Sequence, residues 1–258
     1  MSKEKKKDKK VKKNTVPFRF CAWIARRIYK KRVVEGLENL PKEPCVIVAN
    51  HSQLHSPLTY ELYLKVPRAI WCDAKMMDKA DLPQYAEDNF WPKAEDKQKK
   101  KRKFWMRKVA PLVGYIFTRA HTLPVYRDVR VMRTFKLSEE AMLRGENLVI
   151  FPENEITDEN NRILDFFNLY FVDIAKIYYK KHGKILTFVP TYNCVEQRKV
   201  VIGKNHVKYD PNIPMEEQRT ILCEKLREEI TALALSLPRH EVVPFLPIEN
   251  GEKRYSKD

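Results

Sequence analysis

The feature that most constrains the fold is a short apolar run that ends in an Asn-His pair. Residues 45–49 (CVIVA) are all apolar, which is typical of a strand buried on both faces of a sheet. His51 lies just past the end of this run. Because open α/β sheets place their functional groups beyond the carboxyl ends of their strands, the pattern predicts a functional loop around His51.

Elsewhere in the chain, apolar runs suited to strands alternate with segments of helical periodicity. Helices are predicted at 129–144, 161–182 and 214–237, and strands at 123–127, 148–151 and 185–190. Residues 73–95 have no clear period and are expected to be irregular. The alternation of strands and helices predicts the α/β class, and residues 32–258 are expected to form a single domain.

The charge of the chain predicts an anionic partner. The formal net charge is +16 at pH 7, which suits a membrane surface, a nucleic acid or a phosphorylated substrate. The five cysteines are scattered without a CxxC pair, which favours reduced thiols in a cytosolic setting. Neither a run of about 18 apolar residues nor a signal-peptide core is present, so we expect the protein to lie on a membrane rather than cross it.

Two segments combine cations with bulky aromatic residues. Residues 1–14 are a lysine-rich tail that is expected to be disordered, and residues 15–31 predict an amphipathic helix that carries Phe20 and Trp23. A basic insertion at about 93–108 carries Phe104 and Trp105. Both segments suit an anionic bilayer interface; the alternatives are helix faces that pack on the protein's own core or are simply solvated. No nucleic-acid-binding motif accompanies the charge, so no specific nucleic acid is expected.

Polar residues follow several of the predicted strands. Besides His51 they are Arg127, Glu153 with Glu155, and the segment Pro190–Tyr192. If these loops meet at one edge of the sheet, they provide a base, a cation for a phosphate, carboxylates and a wall. Acyl transfer to a phosphorylated alcohol needs such a set, since a histidine can take the hydroxyl proton while an arginine holds the phosphate.

Four blocks along residues 32–210 resemble the glycerolipid acyltransferases, the family typified by 1-acyl-glycerol-3-phosphate acyltransferase. The first, with the family motif NH-x4-D, is similar to Asn50-His51 and its approach from Val33. The second resembles Pro111–Gly114 and Leu123–Arg127. The third, usually FPEGT, resembles Glu146–Glu153, and the fourth resembles Phe188–Pro190. The four blocks occur here in the order that the family has.

The resemblance implies a fold, an activity and a cellular place. The fold would be a glycerol-3-phosphate acyltransferase-like central mixed sheet flanked by helices. The enzyme would transfer a fatty acyl group from an acyl thioester, on CoA or acyl carrier protein, to a lysophospholipid or related glycerol acceptor. His51 would be the general base, Arg127 would bind the acceptor phosphate, and Glu153 would order the third motif. No cofactor or metal is implied, and the protein would be cytoplasmic and peripheral on the inner face of the cell membrane.

The chain departs from the family pattern at two motifs. Ser56 occupies the place of the family aspartate that orients the imidazole, and Asn154 and Glu155 replace the Gly and Thr of FPEGT. A charge at Glu155 opposes a phosphorylated acceptor. His55, Glu153 and Glu155 are the candidates to replace the lost aspartate, and His55 has two further interpretations, a structural loop residue or a metal ligand.

The predicted site therefore has two groups of residues. The catalytic group is His51, Ser56 and His55, and the acceptor-binding group is Arg127, Glu153, Asn154 and Glu155. The alternative to an active enzyme is a catalytically degenerate homologue that binds lipid or a partner protein.

Overall fold

A computed structural model describes residues 15–90, 95–154, 161–245 and 253–258. Within these residues a central sheet contains β1 (Val33–Glu35), β2 (Val46–Ala49), β3 (Arg68–Asp73), β4 (Thr122–Val125), β5 (Asn147–Ile150), β6 (Thr187–Cys194), β7 (Lys199–Ile202) and β8 (Val207–Lys208). A separate antiparallel pair consists of β9 (Glu241–Val242) and β10 (Arg254–Tyr255). The lysine-rich tail at 1–14 and residues 93–94 of the basic insertion lie outside the described residues.

Helices flank the central sheet. They are α1 (Val16–Ile28), α2 (His55–Tyr63), α3 (Ala74–Met77), α4 (Leu82–Phe90), α5 (Asp96–Arg119), α6 (Val131–Leu143), α7 (Asp173–His182) and α8 (Met215–Ser236), with 3₁₀ turns at Leu37–Asn39 and Leu169–Val172. The predicted α/β fold with a central mixed sheet and an N-terminal helix is confirmed. No helix in the described part of the chain is both long and apolar enough to cross a bilayer.

The order of the strands across the sheet is β1-β7-β6-β2-β5-β3-β4, and β8 pairs with β6. Strands β6, β2, β5, β3 and β4 run parallel to one another, whereas β6 is antiparallel to β7 and β8. Parallel neighbours present their carboxyl ends at one edge of the sheet. The loops that follow β2, β5, β3 and β4 therefore share an edge.

Strand β2 lies at the centre of the core, as its apolar run predicts. All four of its residues are inaccessible to solvent. Val46 and Val48 pack into a cluster that includes Phe188 and Phe171, and Ile47 and Ala49 pack on the other face with residues such as Tyr60. Helices cover both faces, so a continuous apolar run is needed here instead of an alternating one.

The helix predicted at 161–182 is shorter in the structure, because α7 begins only at Asp173. The backbone of the preceding segment bonds to the loop after β5 instead of to itself. Asn154 N–H donates to the carbonyl of Phe166, and Asn168 N–H donates to the carbonyl of Pro152. Those bonds compete with helical ones and hold residues 161–168 against the site. The prediction of an irregular 73–95 segment was also wrong, since α3 and α4 lie there.

Helices α1 and α5 carry the aromatic residues of the two basic segments. On α1 the side chains of Phe20 and Trp23 are more than half exposed and stack on each other, while Phe18 is buried. On α5 Phe104 and Trp105 are also more than half exposed. The two helices are in contact, and the hydroxyls of Thr15 and Tyr115 hydrogen-bond at 2.8 Å.

Candidate active site

Four neighbouring strands each bring one polar residue to the same edge of the sheet. In the order of the strands these are His51 after β2, Glu153 after β5, Asp73 at the end of β3, and Arg127 after β4. The fold thus brings His51, Glu153 and Arg127 to one edge. The segment Pro190–Tyr192, which was predicted as a fourth loop, instead lies within β6.

The loop at His51 has an unusual backbone. Ser52 and Gln53 have φ angles of 45° and 53°, and this left-handed region is uncommon for residues other than glycine. The side chain of Asn50 supports the turn, because its amide N–H donates to Ser52 Oγ at 2.7 Å. The same side chain accepts from the Asn193 N–H at 2.7 Å. The loop is therefore fixed by a buried polar network that reaches into β6.

Glu153 ties two loops together through backbone groups. Its Oε1 accepts from the N–H of His51 at 2.5 Å, and its Oε2 accepts from the N–H of Asp165 at 3.0 Å. Burial raises the pKa of Glu153 to about 7, although both hydrogen bonds favour the ionised form. Glu153 contacts the backbone of His51, and no hydrogen bond joins it to the imidazole in the described part of the chain.

The imidazole of His51 lies between two aromatic rings. The centroid of Phe151 is 5.5 Å away in an edge-on arrangement, and that of Phe245 is 4.5 Å away. The buried Nδ1 has no hydrogen-bond partner among the described residues. Burial lowers the pKa of His51 to about 4; the backbone carbonyls of Gln53 and His51 oppose this effect, and the charge of Arg127 adds to it. At neutral pH the ring is therefore uncharged, as a proton acceptor must be.

Ser56, in the place of the family aspartate, is bonded elsewhere. The residue is completely buried, and its Oγ accepts from the side-chain amide of Asn193 at 2.9 Å. No hydrogen bond between Ser56 and His51 is present within the described residues. Ser56, which was predicted as a catalytic residue, is therefore paired with Asn193 and not with the imidazole. Asn193 was missed because the sequence gives no local signal for a polar residue buried in a central strand.

His55 faces the N-terminal helix. Its Nδ1 lies 3.1 Å from the hydroxyl of Tyr29, the residue at the end of α1, and the two rings stack at 6.0 Å. Burial and the nearby charge of Arg32 lower the pKa of His55. No group of three or more potential metal ligands is found in the part of the chain that the structure describes. The contacts of His55 thus link the site loop to α1.

Arg127 presents its charge to solvent. Its side chain is 75% exposed, and its Nε lies 3.6 Å from Asp73 Oδ2. Asp73 also accepts from the N–H of Lys75 at the start of α3, so its carboxylate is fixed. Sequence reasoning missed Asp73, although its place directly after the apolar AIWC run was a usable signal. The pair leaves the guanidinium with unused donors that can bind an anion.

The third motif is only partly described. The N–H of Asn154 donates to the carbonyl of Phe166 at 2.9 Å, which continues the bridge between Glu153 and Phe167. Asn154 thus belongs to the backbone pairing beside the site. Glu155 lies outside the described residues.

Comparisons with known proteins show weak similarity. No protein-family model matches the chain, and no curated protein matches it. Among solved structures, a 1-acyl-sn-glycerophosphate (LPA) acyltransferase, PlsC, from Thermotoga maritima is similar with a TM-score of 0.45 and 16% sequence identity. The match covers 84% of this chain and 79% of that one.

Proposed function

We propose that this protein is an O-acyltransferase that moves a fatty acyl group from an acyl thioester to the hydroxyl of a lysophospholipid or related glycerol acceptor. The observation that carries the proposal is the placement of an uncharged imidazole, His51, and an exposed guanidinium, Arg127, at the same sheet edge, close enough for the charge of one to affect the pKa of the other. A phosphorylated alcohol presents a hydroxyl and a phosphate in a single molecule. The two side chains match those two groups.

In this proposal His51 takes the proton of the acceptor hydroxyl as the oxygen attacks the thioester carbonyl. The C–S bond then breaks, and the thiol of CoA or acyl carrier protein leaves with a proton while the ester forms. Arg127 binds the acceptor phosphate and thereby orients the hydroxyl. Glu153 holds the backbone of His51, so its role is to place the base. No cofactor or metal takes part.

The proposed acceptor is a membrane lipid, and the exposed faces of α1 and α5 suit a membrane surface. Trp23 and Trp105 are 51% and 60% exposed. Arg27 lies over the ring of Trp23, and Lys108 lies over Phe104. Aromatic rings beside cations favour the interface of an anionic bilayer. We propose peripheral binding at the cytoplasmic face of the cell membrane, where acyl-CoA or acyl carrier protein would be available.

The second candidate function is that of a catalytically degenerate homologue that binds lipid or a partner protein. The specific observation in its favour is that Ser56 is bonded to Asn193 and no carboxylate is bonded to the imidazole among the described residues. In serine-protease triads, neutralising the corresponding aspartate lowers turnover roughly 10⁴-fold. A chain without that pair could retain lipid binding while its transfer rate is negligible.

The test is an acyl-transfer assay with the full-length protein on vesicles that contain anionic lipid. Labelled acyl-CoA and acyl carrier protein thioesters are each offered with a panel of lysophospholipids. We expect labelled diacyl product from the wild-type protein and none from His51→Ala. His206→Ala is the matched control, because His206 lies beside β8 near the opposite edge of the sheet.

The outcomes separate the two candidates. Product from the wild type and from the His206 variant, with its loss in His51→Ala, supports the enzyme. Saturable binding of lysolipid without product from any donor supports the degenerate homologue. Equal product from the wild type and His51→Ala contradicts the assigned base. Salt-sensitive binding of nucleic acid at physiological ionic strength, with no lipid binding, contradicts both.

A further inference from the structure

A series of contacts connects the imidazole of His51 to the C-terminal part of the chain. Glu153 accepts from the backbone N–H groups of His51 and Asp165. Burial raises the pKa of Asp165, and the charge of Arg254 and, to a lesser extent, the backbone of Phe245 lower it, so both residues lie near this carboxylate. The ring of Phe245 in turn lies 4.5 Å from the ring of His51.

Asp165 is paired with Arg254 in the C-terminal part of the chain. It is only 1% exposed, and Arg254 on β10 lies 3.7 Å from its Oδ1. A carboxylate that is buried to this extent is costly to ionise without a charged partner. The pair therefore fixes β10, which pairs with β9, the strand shortly before Phe245 in the chain.

The residue before β9 also connects the β9–β10 pair to the core. His240 is 1% exposed, and its Nε2 lies 2.9 Å from the hydroxyl of Tyr192 on β6. The N–H of Ser256 donates to the carbonyl of His240 at 3.0 Å. The β9–β10 pair, whose strands flank Phe245 in the chain, is thus tied to Asp165 through Arg254 and to the central sheet through His240.

His51 needs such support because it has no carboxylate to orient it. Its buried Nδ1 has no hydrogen-bond partner in the described part of the chain, so contacts with neighbouring rings contribute to its orientation. Phe151 provides one contact and Phe245 provides the closer one. Aromatic pairs have preferred geometries and add to the stability of an arrangement beyond the area they bury.

From these contacts we infer that Phe245 is a positioning residue for His51, and that it replaces the missing carboxylate by holding the imidazole in a fixed orientation. The inference depends on the proposed function, because a positioned base is needed only if His51 takes a proton. A carboxylate orients an imidazole through its charge, whereas Phe245 orients His51 by packing against its ring.

The experiment follows His51 directly by histidine NMR on the full-length protein, with its resonances assigned through His51→Asn. The charged groups around the ring in the described residues are Arg127, Glu153 and Asp165, and all three are kept in Phe245→Ala. We expect the pKa of His51 to rise by about one unit or more when water reaches the ring. The shift that the Phe245 ring current causes in the His51 protons should disappear as well.

Two further variants keep the test decisive. Phe245→Leu keeps much of the apolar cover and should raise the pKa of His51 less than Phe245→Ala does. Asp165→Asn weakens the ion pair with Arg254 that fixes β10, while the backbone N–H of residue 165 can still donate to Glu153. This variant should therefore raise the pKa of His51 by less than Phe245→Ala does. Phe117→Ala is the control, because Phe117 is also partly buried but lies on α5. His51 should titrate as in the wild type in that variant.

Failure of the inference and failure of the proposed function give different results. An unchanged His51 titration in folded Phe245→Ala overturns the positioning role, whatever the transfer assay shows. A raised pKa together with a drop in kcat of about tenfold or more, at an unchanged KM for the acceptor, supports it. A raised pKa in a protein that forms no product with any donor supports the contact but removes the proposed reaction.

Discussion

The N–H of His51 donates to Oε1 of Glu153 at 2.5 Å, across the ends of two neighbouring parallel strands. This bond joins the candidate base to the third motif through the backbone, whereas the sequence suggested a bond to the imidazole. Glu153 thereby sets the position of the loop and leaves the ring to other contacts. It also places two groups with opposite pKa shifts side by side.

The first prediction concerns the pH dependence of folding. Burial raises the pKa of Glu153 from 4.5 to about 7, so its ionisation destabilises the fold and stability falls as the pH rises through this range. The pKa of His51 is lowered from 6.5 to about 4, so its protonation destabilises the fold and stability falls as the pH drops through that range. Each shift corresponds to about 3 kcal/mol, and in the wild type the two effects nearly cancel between about pH 4.5 and 6.5.

Single substitutions should reveal each effect in urea unfolding across that pH range. Glu153→Gln removes the loss of stability that ionisation of Glu153 causes as the pH rises. The free energy of unfolding of this variant should therefore rise with pH relative to that of the wild type. His51→Asn removes the loss of stability that protonation of His51 causes as the pH drops. The free energy of unfolding of this variant should therefore fall as the pH rises. Three parallel curves would show that neither group titrates as its burial requires.

The second prediction concerns Ser56. Ser56→Asp places a carboxylate at a completely buried position where the side-chain amide of Asn193 is the neighbouring donor. We expect a loss of stability of about 3 kcal/mol and no gain in transfer rate, because the side chain at this position points to Asn193. Ser56→Ala is the matched control and should cost about 1 kcal/mol through the lost acceptor. A faster enzyme with unchanged stability would contradict this expectation and indicate that the loop can rebuild a histidine–carboxylate pair.

The third prediction concerns Arg127. Its side chain is 75% exposed, so Arg127→Ala should leave the free energy of unfolding nearly unchanged. The KM for a phosphorylated acceptor should rise about tenfold or more, since a charge-assisted contact to phosphate is lost. Arg127→Lys should restore only part of the affinity for the phosphorylated acceptor, because lysine cannot bind the phosphate with two parallel hydrogen bonds.

The control for Arg127 is Arg130→Ala, which removes an exposed arginine that is already paired with Asp128. Steady-state kinetics with a phosphorylated and a neutral acceptor complete the test. If Arg127→Ala affects both acceptors equally, Arg127 does not recognise the phosphate.

The fourth prediction concerns the exposed faces of α1 and α5. Replacing Trp23 and Trp105 together by alanine should weaken binding to anionic vesicles by about tenfold or more, because interfacial anchoring depends on buried aromatic area. Tyr170→Ala is the control, since Tyr170 is 64% exposed but lies outside both helices. Sedimentation with vesicles of increasing anionic content measures the effect. Binding that is equal in all three proteins would place the membrane contact elsewhere.

Much of the site could be predicted because its positions depend on local patterns. The apolar run before His51 predicted a strand buried on both faces, and β2 is such a strand. The strands before Arg127 and Glu153 were predicted in the same way, and parallel pairing then brings their ends together. The helix at 161–182 was extended too far towards its N-terminus because its periodicity continues into a segment whose backbone bonds to the loop after β5.

The sequence by itself determined the α/β class, the buried central strand and the presence of His51, Glu153 and Arg127 at strand ends, because hydrophobic periodicity is a local property of the chain. Only the tertiary structure decided which groups these residues contact. Glu153 holds a backbone N–H, Ser56 is bonded to Asn193, and Phe245 lies on the imidazole. Such contacts join residues that are far apart in the chain, and they arise from the packing of elements against each other and not from any local pattern.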